Sequence, residues 1–168
     1  FSSRRRHTRY ISVTGVQTCA LPIFGGTVVM MEKFDAEGAL SAIARHGVTV
    51  AQFVPTMFVR MLQLPEEVRG SYDVSSLRIA VHAAAPCPPE VKDAMIGWWG
   101  PIVMEYYGSS EQHGLCFITA PEWQQRRGSV GRAAIGVVHV CDDDGNELAP
   151  GEIGTVYFER DALPFVYH

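Results

Sequence analysis

Hydrophobic and polar positions along residues 27–101 follow two alternating patterns. Residues 27–31 (TVVMM) form a short β-branched run that is typical of a buried strand. After Asp35, a residue suited to cap a helix, apolar residues recur at the i, i+3, i+4, i+7 and i+8 positions until Gly47. This spacing predicts a helix that follows directly on the strand.

The strand and helix patterns repeat up to the end of a fourth strand. Each of the next two predicted helices has a proline in its first turn, at Pro55 and at Pro89, and the polar stretch over residues 66–76 is predicted as a loop. Four apolar strands that alternate with three helices predict a parallel sheet with right-handed crossovers and with both faces covered. The second, third and fourth strands are predicted over residues 48–54, 77–81 and 102–106.

Strand runs separated by turns replace this pattern after residue 123. Residues 135–141 and 154–159 are predicted as strands, and the turn sequence DDGN lies between them. They predict an antiparallel β subdomain. The predicted fold class is therefore α/β: a partial doubly wound parallel sheet over residues 25–123, followed by the start of an antiparallel β subdomain over residues 124–168.

Residues 1–24 differ from the rest of the chain in composition and pattern. They hold four arginines and no acidic residue, and polar residues and Pro22 interrupt the apolar run that a secretory signal needs. An organelle transit peptide is also Arg-rich, but it is amphipathic and this segment shows no periodicity. The text SSRRRHTRYISVTGVQTCALPI resembles a translated sequencing adapter. We therefore predict that this segment is non-native and without regular structure, and that the chain is an interior fragment.

Charge and cysteine spacing exclude several classes of function. Residues 25–168 carry 10 basic and 18 acidic side chains, so we expect no binding to nucleic acid or to an anionic membrane surface. No apolar run reaches the roughly 20 residues that a membrane-spanning helix needs. The four cysteines lie far apart without a CxxC pair, which argues against a zinc ribbon or a dense disulfide framework and favours a cytoplasmic protein.

Three loops that follow predicted strands combine small residues with groups able to bind a ligand. They cover residues 54–57, 82–86 and 107–111. Ligands of parallel α/β sheets bind beyond the carboxyl ends of the strands, where loops diverge and helix N-termini expose free N–H groups. The third loop contains an aromatic ring, a hydroxyl and a carboxylate, which suit a base, a phosphate and a metal ion. We expect the second and third loops to lie side by side.

The same loops resemble motifs of the adenylate-forming acyl-CoA synthetase superfamily. Residues 107–111 (YGSSE) are similar to its YGxTE motif, and residues 82–86 (HAAAP) are similar to its small-residue adenine loop. Three further segments match in the same order, namely VPT at residues 54–56, GSVGR at residues 128–132 and DDDGNELAPGEIGTV at residues 142–156. With five ordered matches, the chain resembles an interior fragment of the amino-terminal domain of such an enzyme.

The resemblance implies a role for each matching residue. Tyr107 would lie along adenine, Ser110 would donate a hydrogen bond to the phosphate in place of the family's Thr, and Glu111 would help to hold Mg²⁺. Ser110 and Glu111 are therefore the implied catalytic residues. The implied nucleotide-binding residues are Ala83, Ala84, Ala85, Pro86, Tyr107, Gly108 and Ser110. The implied substrate-binding residues are Val54, Pro55, Thr56 and Gly131.

The reaction implied by this resemblance uses ATP, Mg²⁺ and coenzyme A. A carboxylic acid attacks the α-phosphate of ATP and releases pyrophosphate, and the thiol of CoA then takes the acyl group from the adenylate. The family's Lys-containing phosphate loop, its ribose-binding Asp and its lid Lys have no match in this sequence, so we expect the fragment alone to be inactive. Apolar loop residues favour a fatty acid as the substrate, namely Val54, Met57, Phe58 and Leu115.

Other interpretations of these residues stay open. An aryl-acid ligase or a peptide-synthetase adenylation domain shares the YGxTE loop but uses a different acceptor, and an inert nucleotide-binding fragment needs no catalytic group. Tyr107 also fits a core aromatic, and Glu111 fits a turn cap. Cys87 has no nearby His that would make it a nucleophile. The residues interpreted as structural, or for the histidines at most as pocket lining, are His82, His113, Lys92 and the aspartates at 142–144.

Overall fold

The computed structural model describes residues 9–12 and 25–162. The larger sheet contains β1 (Arg9–Ser12), β2 (Thr27–Met30), β3 (Val50–Phe53), β4 (Ile79–His82), β5 (Val103–Gly108), β6 (Leu115–Ile118) and β7 (Arg132–Ile135). The smaller sheet contains β8 (Val137–Cys141) and β9 (Thr155–Glu159). The helices are α1 (Ala36–His46), α2 (Pro55–Leu62), α3 (Glu66–Gly70), α4 (Pro89–Trp99) and α5 (Ala120–Gln125). Among these described helices, none has both the length and the apolar character of a membrane span.

The larger sheet has the strand order β2-β1-β3-β4-β5-β6-β7. Its first five strands are parallel, whereas β6 and β7 continue the sheet in the antiparallel sense. β8 and β9 form a separate antiparallel pair. The predicted α/β class, with a parallel sheet followed by antiparallel strands, is confirmed.

Local signals in the sequence determine where α1, α2 and α4 begin. Asp35 caps α1 because its Oδ2 accepts a hydrogen bond from the Gly38 N–H at 2.6 Å. Gly47 ends this helix in the left-handed conformation with a φ of 57°, which glycine adopts without strain. Pro55 and Pro89 are the first residues of α2 and α4, where the missing N–H of proline costs no helical hydrogen bond. All three helices lie where they are predicted.

Residues 9–12 form β1, although sequence analysis predicts no regular structure for residues 1–24. β1 lies between β2 and β3 and pairs with both in parallel register, with Ile11 opposite Val29 on one side and Ala51 on the other. The prediction is wrong for these residues, because the sequence RYIS lacks the apolar run that marks the other strands and becomes a strand through its pairing with β2 and β3. The rest of the segment lies outside the described residues, and its non-native origin stays a prediction.

Removal of β1 is expected to weaken the chain, because β2 then loses its pairing with the rest of the sheet. A chain that begins at Phe24 should melt at least about 4 °C below the full chain, since each kcal/mol shifts the Tm of a domain of this size by roughly 2–4 °C. A chain that begins at Arg9 is the control and should melt like the full chain. Equal melting temperatures for the chains that begin at Arg9 and Phe24 would contradict this expectation.

The helices pack on one face of the larger sheet. Ala51, Ala80 and Val103 are aligned across β3, β4 and β5, and all three are fully buried in the core that the helices share. Their neighbours Val50 and Ile79 point to the opposite face and are only half-buried. Within the described residues, α1, α2 and α4 follow one another on this one side, and the covering of the opposite face stays a prediction.

The sequence patterns miss several short elements. α3 forms where a loop is predicted, and β6 and α5 follow β5 without a predicted counterpart. The strand predicted over residues 135–141 is divided between β7 and β8 at Gly136, whose φ of 77° interrupts an extended chain. α5 does carry a start signal, because Thr119 and Glu122 form a capping box in which the Thr119 backbone N–H donates to Glu122 Oε2 at 3.0 Å.

Candidate active site

The three predicted ligand loops leave adjacent parallel strands at one edge of the sheet. His82, at the end of β4, is paired with Phe53 at the end of β3 and with Glu105 of β5. The small-residue loop (residues 82–86) and the tyrosine loop (residues 107–111) therefore lie at the same carboxyl edge, as predicted. The VPT segment follows β3 at this edge as well.

The small-residue loop and the tyrosine loop each have a residue with a strained backbone in or directly after them. Ala84 has a φ of 73°, and Gln112, directly after the tyrosine loop, has a φ of 56°. Within the described ranges they are the only residues other than glycine with a positive φ. This conformation costs a residue that has a Cβ roughly 1–3 kcal/mol, and such residues cluster at binding and active sites. The two loops at this edge thus share a feature that is found at many binding sites.

The adjacent tyrosines Tyr106 and Tyr107 have different surroundings. Tyr106 is half-buried, and its hydroxyl oxygen accepts a hydrogen bond from Gln52 Nε2 at 2.9 Å. Tyr107 is 45% exposed, and its ring is stacked on Phe158 of β9 with the ring centroids 6.2 Å apart and the planes inclined by 27°. Tyr107, and not Tyr106, is therefore accessible to a flat ligand at the edge of the sheet.

Hydrogen bonds within the loop and to the chain after β9 hold the tyrosine loop. The Gln112 N–H donates to the Ser109 carbonyl oxygen at 3.1 Å, and Arg160 Nη1 donates to the Gln112 carbonyl oxygen at 2.6 Å. Ser110 is exposed on this turn, and Glu111 is half-buried. A hydroxyl and a carboxylate thus stand next to each other on a fixed turn, an arrangement that can contact a phosphate group and a metal ion.

Glu111 fits a site in which the substrate supplies most of the metal ligands. In the described residues, no group of three His, Cys, Asp or Glu side chains is placed to hold a metal ion. Mg²⁺ at phosphate-transfer sites keeps several waters and takes one or two carboxylates together with phosphate oxygens. A single carboxylate in the tyrosine loop is therefore compatible with Mg²⁺ that binds together with a nucleotide.

The predicted binding residues differ in burial. Ala83 and Pro55 are buried, so their side chains belong to the core. Phe58 is fully buried against Phe53 and His82, so its use as an argument for a fatty acid is wrong. Val54 is half-buried. The exposed members of the predicted set are Thr56, Ala84, Ala85, Pro86, Tyr107, Gly108 and Ser110.

Gly131 lies apart from the three loops. It directly precedes β7, where Arg132 is paired with Phe117 of β6, so it lies two strands away from β5 and back from the carboxyl edge. Its φ is 90°, and a Cβ at this position would lie 1.9 Å from the Phe117 carbonyl oxygen. Glycine is therefore required here by the packing of the backbone. A part for Gly131 in substrate binding stays a prediction.

A buried polar cluster of His82, Lys92 and Glu105 lies beneath the two loops, and sequence analysis misses it. Lys92 of α4 is fully buried, and its Nζ donates to Glu105 Oε2 at 2.5 Å. His82 Nε2 is 3.6 Å from the same oxygen, which is too long for a hydrogen bond, and neither ring nitrogen has a hydrogen-bond partner among the described residues. Sequence analysis interprets Lys92 as structural but does not show this ion pair, because its partner lies 13 residues away on a strand.

Burial is the largest cause of the pKa shifts of His82, Lys92 and Cys87. Burial, followed by the charge of Lys92, lowers the pKa of His82 to about 3, so the imidazole is neutral near pH 7. Burial also lowers the pKa of Lys92, while the hydrogen bond and charge of Glu105 act in the opposite direction. Burial, followed by the charge of Glu105, raises the pKa of the Cys87 thiol to about 11, which opposes a nucleophilic role.

Stability is expected to fall in acid because of His82. Between the folded pKa of about 3 and the unfolded pKa of 6.5, the unfolded chain binds a proton that the folded chain does not bind. The contribution of the neutral imidazole is therefore complete above pH 6.5 and is lost as the pH falls toward 3. One such proton changes the free energy of unfolding by about 1.4 kcal/mol per pH unit. Urea unfolding between about pH 4.5 and 6 should show this slope, and the His82→Leu variant should lose it.

His139→Asn is the control for this measurement. Hydrogen bonds to Glu159 and Glu147 raise the pKa of His139, so its stabilising contribution is complete below pH 6.5 and is lost as the pH rises through the raised pKa. The slope in acid should therefore be the same in His139→Asn as in the unchanged chain. An unchanged slope in His82→Leu would show that His82 is not the group responsible.

Open parallel α/β sheets bind ligands, nucleotides among them, outside the carboxyl ends of their strands, where these loops lie. Residues 10–167 match the sequence profile of the AMP-binding enzyme family, and the chain belongs to that family. The match begins within the segment that is predicted to be non-native. The predicted superfamily is thereby confirmed.

Individual relatives agree with this assignment. The chain is 36% identical over 121 residues to the mitochondrial medium-chain acyl-CoA ligase ACSF2 of Mus musculus, covering 64% of this chain and 19% of that protein. It is 32% identical over 134 residues to the indoleacetate–CoA ligase of Aromatoleum aromaticum, covering 79% of this chain and 26% of that protein. It is similar to the crystal structure of ATP-bound MatB from Rhodopseudomonas palustris, with a TM-score of 0.72 and 25% identity, covering 89% of this chain and 31% of that chain. The chain thus spans less than a third of the length of each of these proteins.

Proposed function

We propose that the full-length protein containing this chain is an AMP-forming ligase that joins a carboxylic acid to coenzyme A. The observation that carries the proposal is the pairing of two strained loops at the carboxyl edge of adjacent parallel strands. Membership in the AMP-binding enzyme family supports it, and so do the CoA ligases among the relatives. The 168-residue chain alone is expected to be inactive, because three groups that the family uses around the triphosphate have no match in its sequence.

Each loop has a part in the proposed formation of the adenylate. The exposed ring of Tyr107 would lie along adenine, and the small side chains of Ala84 and Ala85 would let the edge of the base approach the backbone. Ser110 would donate its hydroxyl hydrogen to a phosphate oxygen, and Glu111 would ligate Mg²⁺. When bound, Mg²⁺ offsets the negative charge of the triphosphate and of the departing pyrophosphate. Held in this way, the α-phosphate would be open to attack by the substrate carboxylate.

The proposed acid is apolar, and a fatty acid is favoured. Met57 and Leu115 are half-buried, and each lies close to the carboxyl edge, which supports an aliphatic substrate. The indoleacetate–CoA ligase among the relatives supports an aryl acid as the second candidate. The cytoplasm is the proposed compartment, because the described cysteines Cys87, Cys116 and Cys141 are free, as expected in a reducing environment.

The experiment is acid-dependent exchange of labelled pyrophosphate into ATP by the full-length protein. Octanoate and indoleacetate are supplied separately, and thioester formation with CoA is measured in a second assay. Faster exchange with octanoate supports the fatty acid, and faster exchange with indoleacetate supports the aryl acid. A folded full-length protein that shows no exchange with either acid contradicts the proposal. Exchange by the 168-residue chain alone would contradict its expected inactivity.

A further inference from the structure

Three buried polar side chains from three consecutive elements meet beneath the two loops. His82 is the last residue of β4, Lys92 lies in the crossover helix α4, and Glu105 lies in β5. His82 and Glu105 are register partners on adjacent strands. Lys92 Nζ reaches Glu105 Oε2 at 2.5 Å, and His82 Nε2 lies 3.6 Å from the same oxygen. The Lys92–Glu105 ion pair thus joins the crossover helix to β5, and His82 of β4 lies beside the same carboxylate oxygen without a hydrogen bond to it.

The ion pair within this cluster is unusual for the core of a domain. Lys92 is fully buried, Glu105 is buried as well, and the ammonium group also lies 4.8 Å from the centre of the Trp123 ring. A buried ion pair stabilises a fold no better than apolar side chains of the same volume, because both charges lose their hydration. In some proteins such a pair instead helps to specify one arrangement of the elements that carry it.

We infer that Lys92 is a positioning residue that sets the spacing of the small-residue loop and the tyrosine loop through its ion pair with Glu105. Glu105 precedes Tyr107 by two residues on the same strand, and its partner His82 directly precedes Ala83. The strained backbone of Ala84 begins just beyond this anchored point and needs rigid surroundings to persist. The inference rests on the proposed function, because the spacing matters for activity only if the two loops hold the same nucleotide.

Other groups near the cluster do not supply a competing partner for Lys92. Burial lowers the pKa of His82 to about 3, so the imidazole is neutral and brings no second charge. Burial raises the pKa of Cys87 to about 11, so the thiol stays protonated. Among the ion pairs of the described residues, Lys92 takes part in one, with Glu105. The ammonium group of Lys92 in α4 is therefore held by an ion pair with β5.

The experiment compares two double variants of the full-length protein. Lys92→Met/Glu105→Gln removes both buried charges and leaves no charge unpaired in the core. Arg127→Gln/Asp93→Asn is the matched control, because it removes an exposed ion pair that involves the same helix, with the Arg127 Nη2 and Asp93 Oδ1 atoms 3.2 Å apart. Amide hydrogen exchange is followed across the whole chain, and the KM for ATP and the KM for the acid are measured in the pyrophosphate exchange assay.

In Lys92→Met/Glu105→Gln, amide exchange should accelerate about tenfold in both loops, and the KM for ATP should rise about tenfold while the KM for the acid changes less than about twofold. The exposed-pair control should show neither change. Unchanged exchange in the two loops, or an equal acceleration in β8 and β9, overturns the inference. If this double variant does not fold, Lys92→Arg keeps the charge but displaces it, and the same local acceleration is expected. A wild-type protein without ATP-dependent activity contradicts the proposed function, and hydrogen exchange still decides the inference.

Discussion

Glu111→Gln in the full-length protein is expected to lower acid-dependent pyrophosphate exchange by about 10²–10³-fold, the usual effect of losing one charge-stabilising group. The change keeps the shape of the side chain but removes the negative charge that would hold Mg²⁺ beside the triphosphate. Higher Mg²⁺ concentrations should restore part of the rate, because weaker metal binding is offset by mass action. The measurement is the exchange rate at saturating acid and ATP over a series of Mg²⁺ concentrations.

Two further variants make this result specific to Glu111. Ser110→Ala should reduce exchange by about tenfold or less, because a neutral hydrogen bond contributes only about 0.5–1.5 kcal/mol. Glu67→Gln removes the same charge from an exposed position in α3 and should leave the rate unchanged. A Glu111→Gln protein that exchanges as fast as the Glu67→Gln control would exclude Glu111 from the mechanism.

Elements with local start and stop signals could be predicted from the sequence. The side-chain cap of Asp35 and the left-handed turn at Gly47 bound α1, and prolines begin α2 and α4. Each of these signals acts over four residues or fewer, so it is visible without knowledge of the fold. The apolar runs between the helices then identify β3, β4 and β5, and short connections with right-handed crossovers make these strands parallel neighbours.

Elements defined by distant partners could not be predicted in this way. β1 has four residues and is a strand because β2 and β3 pair with it on both sides. Whether the helices cover one face of the sheet or both depends on the side on which each crossover helix packs. The strands have apolar sequences in both arrangements, so their pattern does not distinguish the two. The ion pair of Lys92 with Glu105 joins a helix to a strand. In the sequence, each of these residues looks like an ordinary exposed charge, because its partner is not a local neighbour.

The candidate site shows the same division. The positions of the small-residue loop and the tyrosine loop follow from motif spacing and strand order, and the structure places both at one edge. The strain at Ala84 and Gln112 depends on backbone torsion angles that nearby residue types do not determine. The stacking of Phe158 on Tyr107 and the hydrogen bond of Arg160 to Gln112 come from a region about 50 residues further along the chain. Contacts of this kind give the motif its geometry, and no local pattern contains them.

Lys92→Met is expected to have the largest effect on the stability of the 168-residue chain. It leaves the Glu105 carboxylate buried without the ammonium group that bonds it at 2.5 Å. Removing one partner of a buried ion pair typically costs roughly 3–5 kcal/mol, because the remaining charge keeps its desolvation penalty and loses its attraction. Urea unfolding at pH 7 measures the loss as a lower transition midpoint at an unchanged m value.

Two variants decide whether the loss comes from an unpaired buried charge. Arg127→Gln breaks the ion pair at the surface in which Arg127 Nη2 lies 3.2 Å from Asp93 Oδ1. It should lower the free energy of unfolding by at most about 1 kcal/mol, because surface pairs are screened by water. Lys92→Met/Glu105→Gln removes both buried charges and should recover most of the stability that Lys92→Met loses. A Lys92→Met chain as stable as the Arg127→Gln chain would mean that the Glu105 carboxylate is stabilised without Lys92. In that case the crossover helix would not be held to β5 by charge, and its packing through Met95 and Trp99 would have to account for the geometry beneath the loops.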